Sequence, residues 1–323
     1  MIVKIYLLLI SLCLPDVQAI MQKTVKDVML KPPKHWVGDG FNVFPVFANK
    51  AFTNDLSPFL MFDYGAPKQF PPTKKRLGVG QHPHRGFETV TVAFQGEVEH
   101  ADNKGNRGVI GPGDVQWMTA GKGIIHEEFH STEFAKTGGV LEMCQLWVNL
   151  PAAKKMSKPR YQPILADTIK SASLVSSQCT ATATTADAVV VDTSSDGSVR
   201  IIAGAYRGVT GPATTVTPMD MLDVSINTTT KSYDFEFPES YNVIVFVRDG
   251  SLEVGDRRLG AQDVAVMNRS GTVLSIKATS PKTKVLILAG EPLNEPIVQH
   301  GPMCMNSKEE IKQAMIDYQM GKF

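Results

Sequence analysis

No two cysteines in this sequence stand in a C-x-x-C spacing, and only four are present, Cys13, Cys144, Cys179 and Cys304. A thiolate zinc site is therefore not expected. If Cys13 leaves with a cleaved leader, three thiols remain, so at most one internal disulfide can form. An excess of one charge is also lacking: 33 basic residues face 32 acidic ones, for a net charge of +1. That balance lacks the basic footprint of a nucleic-acid-binding domain, and no direct nucleic-acid partner is expected. Beyond residue 20 no apolar run is long enough to cross a bilayer, so no membrane span is expected in the mature form. Helical segments do not alternate with strand-like ones, and no βαβ pattern is visible.

The first twenty residues stand apart. A weakly basic start, Met1 to Lys4, precedes the ten-residue apolar run Ile5 to Leu14. Ten residues are too few to span a bilayer. Val17 and Ala19 then supply small side chains at the −3 and −1 positions of a cleavage site. Residues 1–20 read as a signal peptide, with secretion or export as the consequence. The alternative is a true start at Met21 and a cytoplasmic or nuclear protein.

What is present is strand-like. The segments Asn42 to Phe47, Thr89 to Phe94, Val115 to Met118 and Glu142 to Val148 are β-branched or aromatic and are punctuated by turn residues. Regular short strands of this kind favour a sandwich or barrel. Residues 168–198 turn Ser-, Thr- and Ala-rich, with Val189 to Val191 the only cluster of larger side chains, and read as a connector. A second strand-rich block follows, and it repeats the first. Thr89–Gly96 parallels Val243–Gly250, and Ile110–Met118 parallels Leu259–Met267, each with a Gly-x-x-Asp-Val turn. The expectation is an all-β chain of two tandem barrels, residues 21–167 and 199–323, joined by 168–198. Ser307 and Glu310 form a capping box for a short C-terminal helix carrying Ile311, Met315 and Tyr318, ended near Gly321.

Chemistry concentrates in two short segments, His82-Pro-His84-Arg-Gly-Phe-Glu88 and Gly123-Ile-Ile-His126-Glu-Glu128. Residues two apart on a strand share a face, so His82 pairs with His84 and His126 with Glu128. Continuing the first parity adds Glu88 and then an apolar wall of Val90, Val92 and Phe94. Three imidazoles and a carboxylate suit a borderline divalent ion with open positions for substrate, as in non-haem iron enzymes. The ligand types alone leave Zn, Mn, Ni and Cu open. Glu88 is read either as a ligand in place of Glu128 or as a partner that holds a histidine ring. His100 and His130 are expected on the surface, and His300 in a loop.

The segment His82-Pro-His84-Arg-Gly-Phe-Glu88-Thr-Val resembles the first metal motif of the pirin family, within the cupin superfamily. Gly105-Asn-Arg-Gly-Val-Ile-Gly-Pro-Gly-Asp-Val-Gln-Trp-Met-Thr-Ala-Gly121 is similar to that family's most characteristic stretch. Gln145–Leu150, Gly290–Met303 and Asp317–Phe323 match as well. The resemblance runs from about Met21 to Phe323. It implies a bicupin fold, one Fe(II) held by His82, His84, His126 and Glu128, Glu88 nearby, and a metal-free second barrel. Matching Gly96 to Gly250 and Asp114 to Asp263 sets Glu236 and Pro238 against His82 and His84, and Ser275 and Lys277 against His126 and Glu128. The leader and the Ser/Thr/Ala-rich connector depart from the family pattern, and export would depart from its nuclear or cytosolic setting.

Two functions follow from the resemblance. One is an iron-dependent dioxygenase of the quercetin 2,3-dioxygenase kind, acting with O2 on flavonols or other enolic aromatics, with Glu128 or Glu88 as the catalytic base. The other is an iron-binding, redox-responsive regulatory protein of the transcription-cofactor kind, with a protein partner and no turnover.

Overall fold

The computed structural model describes residues 21–48, 54–177 and 196–323. The expected leader, the Val189 to Val191 cluster, Cys13 and Cys179 lie outside the described residues. Cys144 and Cys304 are free and buried.

Each half of the chain pairs a seven-stranded sheet with a four-stranded one. In the first half the large sheet runs Arg160–Ile164, Val115–Thr119, Phe87–Gln95, Gly139–Asn149, Phe59–Phe70, Phe41–Ala48 and His35–Val37. The small sheet runs Gly78–His84, Ile124–His130, Val98–Asp102 and Arg107–Ile110. The second half repeats this plan, with a small sheet of Tyr233–Glu236, Val273–Ala278, Leu252–Val254 and Arg257–Leu259. The all-β bicupin expectation holds, and all four strands read from the sequence lie inside observed ones.

The repeat has a physical basis at its turns. Asp114 accepts a bond from the Gly111 amide at 2.9 Å, and Asp263 accepts one from the Gly260 amide at 2.8 Å. Both strands before these turns end at a glycine with positive φ, 75° at Gly96 and 82° at Gly250, where a side chain would be strained.

The two large sheets pack face to face, so their central strands are buried on both sides and read as continuous apolar runs. On Asn242–Asp249, Ile244 and Phe246 face the first barrel while Val243, Val245 and Val247 fill the second. Phe246 meets the ring edges of Phe62 and Tyr64, each with centroids 5.0 Å apart. One buried cation crosses this interface. Arg248 of the second barrel bonds Glu142 of the first at 2.8 Å and Asp223 at 2.7 Å, beneath the ring of Phe94.

The chain ends cross between the barrels. Val25–Met29, expected in the first barrel, pairs with Val264–Met267 of the second. The C-terminal segment, expected with the second barrel, closes over the mouth of the first. There the Cys304 amide bonds the Arg85 carbonyl at 3.0 Å, and Arg85 pairs with Asp317 at 2.9 Å. The capping box at Ser307 and Glu310 starts the helix Lys308–Gln319 as expected.

Candidate metal centre

The chain leaves the small sheet after His84, bends at Arg85–Gly86, and enters the large sheet at Phe87. Gly86 has φ 88°, and a Cβ there would stand 1.9 Å from the Cys304 carbonyl oxygen, so only glycine fits the bend. Lys155 fastens it: its buried ammonium donates to the carbonyls of Gly86 at 2.9 Å and Cys304 at 3.1 Å. On the strand before the bend, His82 and His84 project together. Antiparallel pairing sets His126 opposite His82 and Ile124 opposite His84.

The ligand atoms of His82, His84 and His126 all lie within 4.8 Å of one another. A second cluster, His100, His126 and Glu128, shares His126 with the first. His84, His126, Glu128 and His100 are buried, and His82 is half-buried. Burial, and then the neighbouring His82, push His84 down to about 3, and burial with the other imidazoles drives His126 well below its ordinary value. Both rings are neutral at physiological pH, the form that binds a metal.

The hydrogen-bond partners set the tautomers. A carbonyl can only accept, so the rings of His82, at 2.9 Å from the Gly80 carbonyl, and His84, at 3.4 Å from that of Pro302, present Nδ1–H outward. For His126 the partner is His100, expected on the surface but fully buried. His100 Nε2 faces Asp102 at 3.2 Å, and Gln116 Nε2 donates to its Nδ1 at 3.1 Å. Burial pushes Asp102 up, but bonds from Asn106, His100 and Lys104 outweigh it and hold the carboxyl below its usual range. His100 therefore donates from Nε2, and its single Nδ1 lone pair is shared between Gln116 and His126 Nδ1, which approaches to 3.3 Å. This leaves His126 Nε2 and His82 Nε2 as acceptors facing each other at 2.9 Å. Two lone pairs at that distance need a cation. Ligands roughly 2.0–2.1 Å from one ion and at right angles stand roughly 2.8–3.0 Å apart, so the donor set fits a divalent metal.

Glu128 is held from the floor of the barrel. Its Oε1 accepts from Thr91 Oγ1 at 3.1 Å and Gln116 Nε2 at 3.5 Å, and its Oε2 from Gln145 Nε2 at 2.8 Å. Beside it opens a cavity of about 340 Å³, lined by His82, His84, Glu128, Gln145 and Asp63 and otherwise mainly by apolar side chains, among them Phe41, Met61, Met143 and Trp147.

Two expectations fail at the bend, which resets the parity. Glu88, expected beside the metal, lies on the opposite face of Phe87–Gln95, where Thr119 Oγ1 donates to it at 2.7 Å. Val90 and Val92 share that face and pack in the core between the barrels instead of walling the site. Phe94 packs against the same core and over Arg248. The residues turned toward the site are Phe87, in edge contact with His84, and Thr91. His130, also expected on the surface, is buried among Phe41, Phe70 and Phe134 and bonds the Gly40 carbonyl at 2.8 Å. His300 is exposed at the end of a short strand, Val298–His300.

The second barrel carries none of this. Pairing in the small sheets makes Phe235 and Leu274 the counterparts of His82 and His126, because His126 pairs with His82 as Leu274 pairs with Phe235. By the same register Phe237, Ile276 and Val254 replace His84, Glu128 and His100, and all five fill the apolar core. The counterparts expected from sequence, Glu236, Pro238, Ser275 and Lys277, are each one residue off.

Comparisons with known proteins bear on the family and the fold. Residues 40–148 match the model of the Pirin family and residues 221–323 that of the Pirin C-terminal cupin domain. A Pseudomonas aeruginosa protein called "Putative quercetin 2,3-dioxygenase" is 46% identical over 290 residues, 90% of this chain and 94% of that one. Human pirin is 32% identical over 277 residues, 83% of each chain. The crystal structure of quercetin 2,3-dioxygenase from Acinetobacter baumannii superposes with a TM-score of 0.85 at 43% identity, over 94% of this chain and 99% of that one. With two tandem barrels, histidine clusters in the first, and family models matching both halves, this chain belongs to the pirin family of the cupin superfamily.

Proposed function

We propose that this protein is an iron-dependent dioxygenase that opens the ring of quercetin-like flavonols, or of related enolic aromatics, with O2. The observation that carries the reading is a cluster of three histidines, two of which, His82 and His84, stand with the held carboxylate of Glu128 on the wall of a largely apolar cavity with room for an aromatic ligand. His82, His84, His126 and Glu128 would hold the ion. Bound there, Fe(II) would supply Lewis acidity toward an enol oxygen and a redox partner for O2.

The chain's own residues do the rest. Thr91 and Gln116 fix Glu128 through Oε1. Oε2 lies on the Gln145 side, where the cavity opens, and that oxygen takes the proton of the flavonol 3-hydroxyl. Gln145 keeps its amide on Oε2 and orients the carboxylate through the transfer. Phe41, Met61, Met143 and Trp147 enclose the rings and limit the entry of water. Export of a chain shortened by residues 1–19 belongs to the same proposal, and sequencing the mature N-terminus tests it.

The functional test is metal content and flavonol loss under O2, measured on one tag-free preparation. About one iron per chain is expected, with turnover abolished in the His82→Ala/His126→Ala double variant. Glu128→Gln is expected to lose turnover at least a hundredfold, the scale of one proton-transfer catalyst. One metal per chain with no turnover on any enolic aromatic would overturn the dioxygenase reading in favour of a regulatory one.

A further inference from the structure

One rung of the large sheet in the first barrel carries four polar side chains in register. Gln116 pairs with Thr91, Thr91 with Gln145, and Gln145 with Asp63. The first three donate to Glu128. The fourth does not reach it, because it stands one strand further along, about 5 Å beyond Gln145. Asp63 lines the cavity instead, and among the described residues no hydrogen bond or ion pair meets its carboxyl group.

A carboxyl group partly withdrawn from water among apolar side chains gains from any donor that reaches it. Burial alone pushes Asp63 up to about 7. Asp63 is half-buried, and its carboxyl is open to the cavity, where no described neighbour in the fold satisfies it. A ligand would: a hydroxyl donated to Asp63 satisfies it, while the rest of the cavity wall on that side, Val43, Met61 and Met143, offers only apolar contact.

We propose that Asp63 is the specificity-determining acceptor of the substrate cavity, receiving a hydrogen bond from a second hydroxyl of an aromatic enol whose first oxygen faces the histidines. The substrate class is thereby narrowed to enolic aromatics with two separated hydroxyl groups, and singly hydroxylated ones are disfavoured. This rests on the cavity being the substrate site of the dioxygenase reading, and the test separates the two.

The experiment measures binding of quercetin and each of its singly O-methylated ethers to zinc-loaded wild type, Asp63→Asn and Asp63→Leu, with turnover by the iron-loaded proteins followed in parallel. In the wild type, at least one ether other than the 3-ether is expected to bind tenfold or more weakly than quercetin. That discrimination is expected to shrink to about twofold in Asp63→Leu and to fall partway in Asp63→Asn, with metal content and thermal midpoint kept. Undiminished discrimination in both variants overturns the proposal even if wild-type turnover stands. Asp63-dependent discrimination without turnover supports the proposal and removes the dioxygenase reading. Wild-type protein that binds none of the probes overturns both.

Discussion

Replacing His100 by leucine tests whether the buried chain Asp102–His100–His126 governs the metal centre. His100 lies outside the His82, His84 and His126 cluster, yet it is the acceptor that fixes the His126 tautomer. In His100→Leu the His126 Nδ1–H loses its partner in a site closed to water, and Gln116 loses one as well. An unpaired buried donor costs about 1–3 kcal/mol. The ring then gains by moving its proton to Nε2, the nitrogen needed for the ion. Partners that orient ligand histidines are worth about 10–100-fold in metal affinity, or roughly 1.4–2.7 kcal/mol, which agrees with the first figure. Asp102 is the poorer target, since it also closes the turn to Asn106 through three bonds, and its loss would mix turn and metal effects. The assay is competition with a fluorescent chelator, with urea unfolding of the metal-free protein as control. A metal dissociation constant within threefold of wild type in a folded variant would refute the orienting role of His100.

Glu88→Gln is expected to leave metal content and turnover unchanged, because Glu88 faces Thr119 and not the histidines; a tenfold loss of either would return it to the site. Arg248→Met leaves Glu142 to Tyr64 and Gln95 and Asp223 to Arg200, so unfolding free energy should drop by about 3 kcal/mol, the low end for a broken buried ion pair, and a loss under 1 kcal/mol in denaturant would refute this. The metal-free protein should lose stability in acid. His84 titrates near 6.5 when unfolded and at about 3 when folded, so the unfolded chain binds the extra proton between those values. Its contribution is whole above pH 6.5 and falls by about 1.4 kcal/mol per pH unit below it. Urea midpoints at pH 7.0 and 5.5 should therefore diverge less in His84→Leu than in wild type, and equal divergence would count against the burial argument.

Strand periodicity made the barrels legible because a half-buried strand has a period of two, and the His-x-His and His-x-Glu pairs carry that period into the site. What periodicity cannot show is where it restarts. The bend at Arg85–Gly86 moves the chain from one sheet to the other, so the parity that joined His84 to Glu88 ends there, and Thr91 faces the site where Val90 and Val92 were expected. His100 was missed for a related reason. Its strand, Val98–Asp102, has the buried Val98 two residues before it, and that shared face was the available signal. Gln116 and Gln145 lie in stretches that resemble the family, but nothing in those stretches assigns them to the site, and Asp63 lies in no such stretch. Only the lateral register of four strands aligns them, and register between strands distant in sequence is a product of folding.

The second barrel shows how little sequence separates a metal centre from an apolar core. Counting from the shared turns places Ser275 and Lys277 opposite His126 and Glu128, but the strand pairing places Leu274 and Ile276 there. The turn before Val273–Ala278 is one residue shorter than its counterpart, and a shift of one residue sends every side chain on a strand to the other face. Lys277 is thus turned outward and does not exclude a metal by charge. Apolar packing takes the place of donors: Phe235, Phe237, Val254, Leu274 and Ile276 fill the volume that three imidazoles, a carboxylate and His100 occupy in the first barrel. A single histidine placed at 274 or 235 would therefore not create a site. It would leave a buried imidazole without a partner in a close-packed core, which costs stability and supplies no second ligand. The second barrel instead packs against the large sheet that carries Thr91 and Gln145, the two side chains that, with Gln116, hold Glu128.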